Sequence, residues 1–278
     1  MRCCLLSLLV LMSSAAFAAV ERGGHGGGHG AAVHARESAT PSWTRAPLLL
    51  AGARMGRTAV WIEAHNIAAE AITVIAPDTR LNAEQVAVID GRGRVEPLRE
   101  DVGAHHLLFA REQADGRIVS AASWWNFPTP GTSPREVLGR VRGGLELMPV
   151  DLPDRGPYRE GTRHGFVLRM DGAPLAGVRV VLESSQGSRV VFHSDAAGVI
   201  DVLLPRDFDP AQVDREGRQA RADFVLFARI ERDGVEHLSA FNGPYGPDPM
   251  RQRDLSGGVA FMLLGMALAV PLLRSRRG

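Results

Sequence analysis

DGAPLAGVRVVLESSQGSRVVFHSDAAGVIDVLLP, residues 171–205, is the stretch whose reading decides the fold. In GVRVVLES (177–184) the residues Val178, Val180 and Leu182 fall on one face and Arg179, Val181 and Glu183 on the other, which is the period of a strand. GVIDVLLP (198–205) is apolar at nearly every position, so it reads as a strand buried on most of both faces. Between the strands stand turn formers. Asp171-Gly172 makes a turn out of the preceding strand. Pro174 takes an edge or turn position and Gly177 an unusual φ. Asp195 bonds its own turn backbone while Gly198 closes the reversal.

The pattern extends in both directions. RHGFVLRM (163–170), SRVVFHS (188–194), ADFVLFARIER (222–232) and GVEHLSAF (234–241) complete a second set of strands, spaced as an all-β sandwich requires. A first set comprises TAVWIEA (58–64), AITVIAP (71–77), EQVAVIDG (84–91), AHHLLFAR (104–111) and GRIVSAAS (116–123), the last two joined by EQADG as a hairpin connection. EVLGRVRGGLEL (136–147) is strand or helix, and its glycines argue against a stable helix. Only DPAQVDREGRQA (209–220) offers a helix, as an insertion between strands. The expectation is all-β: two β-sandwich-like, Ig/transthyretin-like domains at 57–150 and 151–247, plus one C-terminal transmembrane helix.

The ends address the chain to the cell envelope. MRCCLLSLLVLMSSAAFAA (1–19) has a basic start at Arg2, an apolar core from Leu5 to Met12 and a small-x-small cleavage site at Ala16-Phe17-Ala18, the pattern of a secretory signal. Residues 20–56, rich in Gly, Ala, His and Arg, read as a flexible leader. FNGPYGPDP (241–249) and the residues 248–256 read as a semi-rigid tether. From Gly257 to Leu273 the chain is uncharged, and at 1.5 Å per residue this run spans about 25 Å, the short end for a membrane helix. Arg274, Arg276 and Arg277 follow, which places the C-terminus (274–278) in the cytoplasm and the β-domains in the periplasm, anchored in the inner membrane. A processed sorting tail and a buried core helix are the other readings of this run.

Composition sets limits. All 32 basic residues are arginine, so lysine chemistry is excluded, and the net charge of +1 gives no argument for nucleic acid. The only cysteines, Cys3 and Cys4, precede the signal core, so the mature chain has no disulfide, thiolate ligand or cysteine nucleophile. No Gly-x-Ser-x-Gly, phosphate-cradling glycine loop or His-Glu-x-x-His occurs, and no enzyme is expected.

The 171–205 phrase resembles the transthyretin-like and carboxypeptidase-regulatory-like Ig modules, through its G-x-P-L-x-G-[VA]-x-V strand entry and [ST]-D-x-x-G turn. That resemblance implies architecture and no chemistry. LELMPVDLPDRGPYREGTRHGFVLRMDGAPLAG (145–177) looks like the central segment of a family of exported bacterial proteins associated with nickel and cobalt uptake transporters. The resemblance implies an accessory that captures Ni²⁺ or Co²⁺ for a transporter. Members commonly open the mature chain with His-x-x-[WL], and no such motif follows the cleavage site here. The rival reading is a non-catalytic Ig-like interaction or structural module.

Candidate metal ligands follow from imidazole preference. His25, His29 and His34, in HGGGHGAAVH, are either a metal-catching arm or incidental to the leader, since ordering such an arm costs entropy. Glu63 and His65 share a face if the strand continues, and either ligate or are simply solvated. His105 and His106 point to opposite faces of a strand and cannot easily chelate one ion. In ASWWNFPTPG (122–131), Trp124 and Trp125 also face opposite ways; one anchors the core, and the other either packs between domains or faces a partner or the membrane surface.

Overall fold

Four Asp-Gly pairs punctuate the chain, and both members of each adopt positive φ: Asp90-Gly91, Asp115-Gly116, Asp171-Gly172 and Asp233-Gly234. That is the requirement of the tight two-residue hairpin turn whose twist matches the strands it joins. The computed structural model describes residues 41–55, 59–99, 105–128, 133–153, 156–216 and 220–249. The strands are β1 (Leu48–Met55), β2 (Ala59–His65), β3 (Ala71–Ile75), β4 (Glu84–Ala87), β5 (Arg92–Val95), β6 (His105–Ala114) and β7 (Arg117–Asn126). A short helix α1 (Arg135–Gly139) precedes β8 (Leu145–Pro149), β9 (Tyr158–Arg159), β10 (Arg163–Met170), β11 (Ala173–Pro174), β12 (Arg179–Ser184), β13 (Arg189–His193) and β14 (Val199–Leu203). Then come α2 (Pro210–Glu216), β15 (Ala222–Arg232) and β16 (Val235–Gly246).

The strands form three sheets. The largest has the order β13-β12-β15-β16-β7-β6-β3-β4, with β9 also pairing β16. β10 pairs β8, β11 and β14 in the second sheet, and β1-β2-β5 make the third. Alternation assigns the faces of the large sheet. Leu107, Ala122, Trp124, Phe224, Leu226 and Phe241 point into one core with Leu147, Phe166, Leu168 and Ile200 of the β10 sheet. Their neighbours Leu108, Ala110 and Ala121 point the other way, onto Leu49, Val60 and Ile62 of the β1 sheet. Val225 and Ala240 likewise meet Leu48. The architecture is therefore a three-layer all-β sandwich whose middle sheet is covered on both faces.

Two segments expected to be separate domains, divided near residue 150, share that middle sheet. The join is β16, antiparallel to β15 along its length and parallel to β7 from Glu236↔Arg117 to Phe241↔Ala122. Every residue of β16 from His237 to Gly246 is buried. FNGPYG is thus core strand and not tether: its small and aromatic residues fill the space between two layers, and Phe241 and Tyr245 have no exposed surface.

The leader assignment also needs correction at its end, because Leu48–Met55 is strand β1 of the third sheet. Leu48 and Leu49 are buried and Leu50 is partly so, and burying this leucine run outweighs the flexibility suggested by the flanking composition. Just before it, Thr44 donates to Glu183 Oε2 at 2.6 Å, and the Asn66 amide donates to Ala46 O at 2.9 Å. β14 alternates instead of being buried on both faces: Ile200 and Val202 are inside, while Asp201 and Leu203 are exposed, because β14 lies in an outer layer.

The ambiguous 136–147 stretch is both helix and strand, broken at Gly143 and Gly144, which take positive φ. The carbonyls at the end of α1 are met by arginines from elsewhere: Arg169 donates to Gly139 O and Arg140 O, and Arg142 to Val137 O and Arg140 O. At the 195–199 turn Asp195 Oδ1 accepts from Ala197 N and Val199 N at 2.8 Å, as the turn chemistry requires. Gly198 has φ +73°, and a Cβ there would come within 2.5 Å of Leu168 O. The signal segment 1–19, the leader up to residue 40, the run 257–273 and the arginine tail lie outside the described residues. Among the described residues, no helix is long and apolar enough to cross a membrane.

Candidate functional site

A one-sided irregularity in β1 borders a cleft. The pairing of β1 with β2 shifts register between Ala51 and Arg54, a bulge of the kind that re-aims a side chain. It brings the Arg54 guanidinium 4.8 Å above the Trp125 ring, in cation–π range. Two adjoining cavities, of about 340 and 260 Å³, share Arg54, Trp124, Trp125, Arg221 and Pro244 as walls. β7 supplies the tryptophans, β16 the proline, and the start of β15 supplies Asp223 next to Arg221.

Charge in this cleft is unusual for its surroundings. Burial lowers the Arg221 pKa from its ordinary range; Asp223 opposes that shift, and the second cation, Arg54, adds to it. Burial raises the Asp223 carboxyl, with Arg221 pulling the other way. The Asp223 backbone is tied down on both sides, donating to Ser185 Oγ at 3.0 Å and accepting from Ser185 N at 2.9 Å. Ser123, also on the wall, spends its hydroxyl on Asn242 O at 3.0 Å. Trp124 is 7% exposed and its indole N–H has no acceptor among the described residues. That nitrogen lies against Gly243, where a Cβ would be 3.4 Å away, and the ring of the buried Tyr158 flanks the same glycine. Burial pushes the Tyr158 hydroxyl up well beyond the ordinary phenol range.

The tryptophan pair divides between the two faces. Trp124 is part of the core against the β10 sheet, and half-buried Trp125 packs on the opposite core. Both nevertheless line the cleft. Arg54, Arg221 and Asp223 were not singled out in the sequence; only the paired tryptophans marked this place.

Of the sequence-derived metal candidates, Glu63 and His65 do come together. Both lie on β2, two positions apart, with Glu63 Oε2 3.4 Å from His65 Nε2. Among the described residues no group of three His, Cys, Asp or Glu side chains converges as a metal site needs. His25, His29 and His34 lie outside the described residues. His105 and His106 face opposite ways, His105 against Trp124 at 5.3 Å and His106 against Phe127 at 5.0 Å.

No protein family and no curated protein matches the chain. Among solved structures it is similar to a 1.5-MDa bacterial ice-binding adhesin studied for host cell surface retention, at 9% identity and a TM-score of 0.21, over 73% of this chain and 64% of that one. It is similar to a Ca²⁺-stabilized ice-binding adhesin of an Antarctic bacterium at 12% identity and 0.21, over 69% of this chain and 44% of that one. It is also similar to the fibronectin(III)-like modules of Clostridium thermocellum CbhA at 9% identity and 0.23, over 71% and 89%. The chain spans less than two thirds of the length of either adhesin. TM-scores this low carry no argument, and the architecture stands on the strand pairings themselves.

Proposed function

We propose that this is a non-catalytic binding protein of the cell envelope. It is exported by residues 1–19, held at the inner membrane by 257–273, and presents the Arg54–Trp125–Arg221 cleft in the periplasm. The observation that carries the reading is the cleft itself: a cavity of about 340 Å³ with two guanidiniums and two tryptophans in its walls. Its size is at the lower end for small-molecule sites, which are mostly apolar with a few convergent polar groups. Among the described residues its ionisable groups are two arginines and one carboxyl, a set suited to recognising an anionic group. The test is native mass spectrometry of the full chain after incubation with a small-molecule extract of the producing cells. Retention of a low-mass species by the wild type, lost on combining Trp125→Ala with Arg221→Gln, is expected. Retention of nothing by the wild type sinks the reading.

A second reading is capture of nickel or cobalt for an uptake transporter. The family resemblance at 145–177 supports it, and so does the Glu63–His65 pair at 3.4 Å. It expects a stoichiometric Ni²⁺ or Co²⁺ isotherm for the full chain, weakened by His65→Ala and by His25/His29/His34→Ala. Absence of any heat at neutral pH removes it.

A further inference from the structure

We propose that the cleft selects a monoanionic organic carboxylate, whose charged end sits between Arg54 and Arg221 and whose apolar body lies along Trp125 and the proline wall. This deepens the binding reading above and rests on it.

Charge comes first. Arg54 and Arg221 line both adjoining cavities, with Asp223 in the wall of the larger. Among the described lining residues, two guanidiniums stand against one carboxylate, an excess of one positive charge for an occupant to balance. A dianion would overcompensate, and its second charge would meet Asp223. A single carboxylate matches both the sign and the size of the excess. Its planar pair of oxygens also suits the guanidinium fork, which accepts such groups bidentately.

The second argument is the walls. Pro128 and Pro157 line the smaller cavity, and Pro244, Trp124 and Trp125 line both. In the smaller cavity Asn126 is the one amide side chain beside these rings, so the part of the ligand away from the arginines is mainly apolar. Arg54 already covers one face of Trp125. The body of the ligand therefore meets that ring at its edge, or extends the stack beyond the guanidinium. Trp124 adds, at the back, a buried indole N–H with no acceptor among the described residues.

Isothermal titration of the full chain in a nonionic detergent tests this with four probes: benzoate, cyclohexanecarboxylate, benzamide and inorganic phosphate. Saturable one-to-one binding of both carboxylates is expected, with benzamide and phosphate at least tenfold weaker. Arg221→Gln and Arg54→Gln should each weaken benzoate by roughly tenfold or more. The thermal midpoint of each variant is checked in parallel, and Arg221→Lys, which keeps the charge and loses the fork, should fall between wild type and Arg221→Gln. Benzamide binding as tightly as benzoate overturns the proposal in favour of a merely apolar pocket. Phosphate binding as tightly as benzoate overturns it in favour of a general anion site. No heat from either carboxylate also overturns it, while a species retained in the mass-spectrometric experiment would leave the broader binding reading standing.

Discussion

Glu146 has no exposed surface, yet it keeps charged company. Its cross-strand partner in the β8–β10 ladder is Arg169, whose Nε donates to Glu146 Oε2 at 2.6 Å, and the backbone N–H of Arg142 donates to its other oxygen. The same two arginines bind the last carbonyls of α1, so one carboxylate holds together a strand pair and a helix end. Removing one partner of a buried pair strands the other charge in a poor solvent, at about 3–5 kcal/mol. Glu146→Ala should lose stability of that order in urea unfolding, and a loss under about 1 kcal/mol would contradict this account. Asp223 behaves differently because its pKa is raised in the folded state above the ordinary 3.8. The folded protein then holds the proton more tightly than the unfolded chain, so this contribution is full below 3.8 and is lost as pH rises through the folded value. Asp223→Asn should therefore gain on the wild type as pH climbs from 3.5 to 7, measured by denaturant midpoints; a constant difference would show that the carboxyl is not perturbed. Legibility at this scale was uneven. Turn chemistry at Asp195 and Gly198 could be read directly, because it is local. The Glu146–Arg169 pair could not, because strand register, and not spacing along the chain, brings it together.

At the scale of elements, β16 and β1 carry the lesson. Asn242 of β16 accepts from Leu49 N and donates to Leu49 O, both at 2.9 Å, which imitates a sheet ladder with a side chain. This clip holds β1 against the middle sheet while Leu49 and Asn242 are both buried. Asn242→Ala leaves a buried donor and a buried acceptor unmet, at about 1–3 kcal/mol each. Amide exchange at Leu48–Leu50 should quicken well beyond that of β12, and equal protection in the two strands would argue against the clip. Half-exposed strands such as β3, β10 and β13 were legible because one face is wet and the pattern alternates. The first half of β16 was read as a strand, but its second half was hidden because a strand covered on both faces has no alternation to read, and Gly243 and Pro244 mimic a linker. β1 was hidden because its leucine run follows directly on a leader-like composition.

For the molecule as a whole, the middle sheet makes the halves interdependent. Exposing one face of β7 or β16 uncovers apolar surface that the other half was burying. Calorimetry of the full chain should show one cooperative transition for the β-unit, and two separable transitions would restore independent domains. A chain ending at residue 144 should fail to give a soluble folded species, since β7 then lacks β16 and one of its covering layers. The parallel β7–β16 pairing has a further consequence in time. Ala121 finds Ala240 only after nearly the whole β-unit has been made, and contacts so distant in sequence slow folding. Until then β7 is an open edge, an invitation to pair with other chains. Synthesis from the N-terminus therefore completes the central sheet last, and the exposed β7 edge must wait through all of the intervening chain for the strand that closes it.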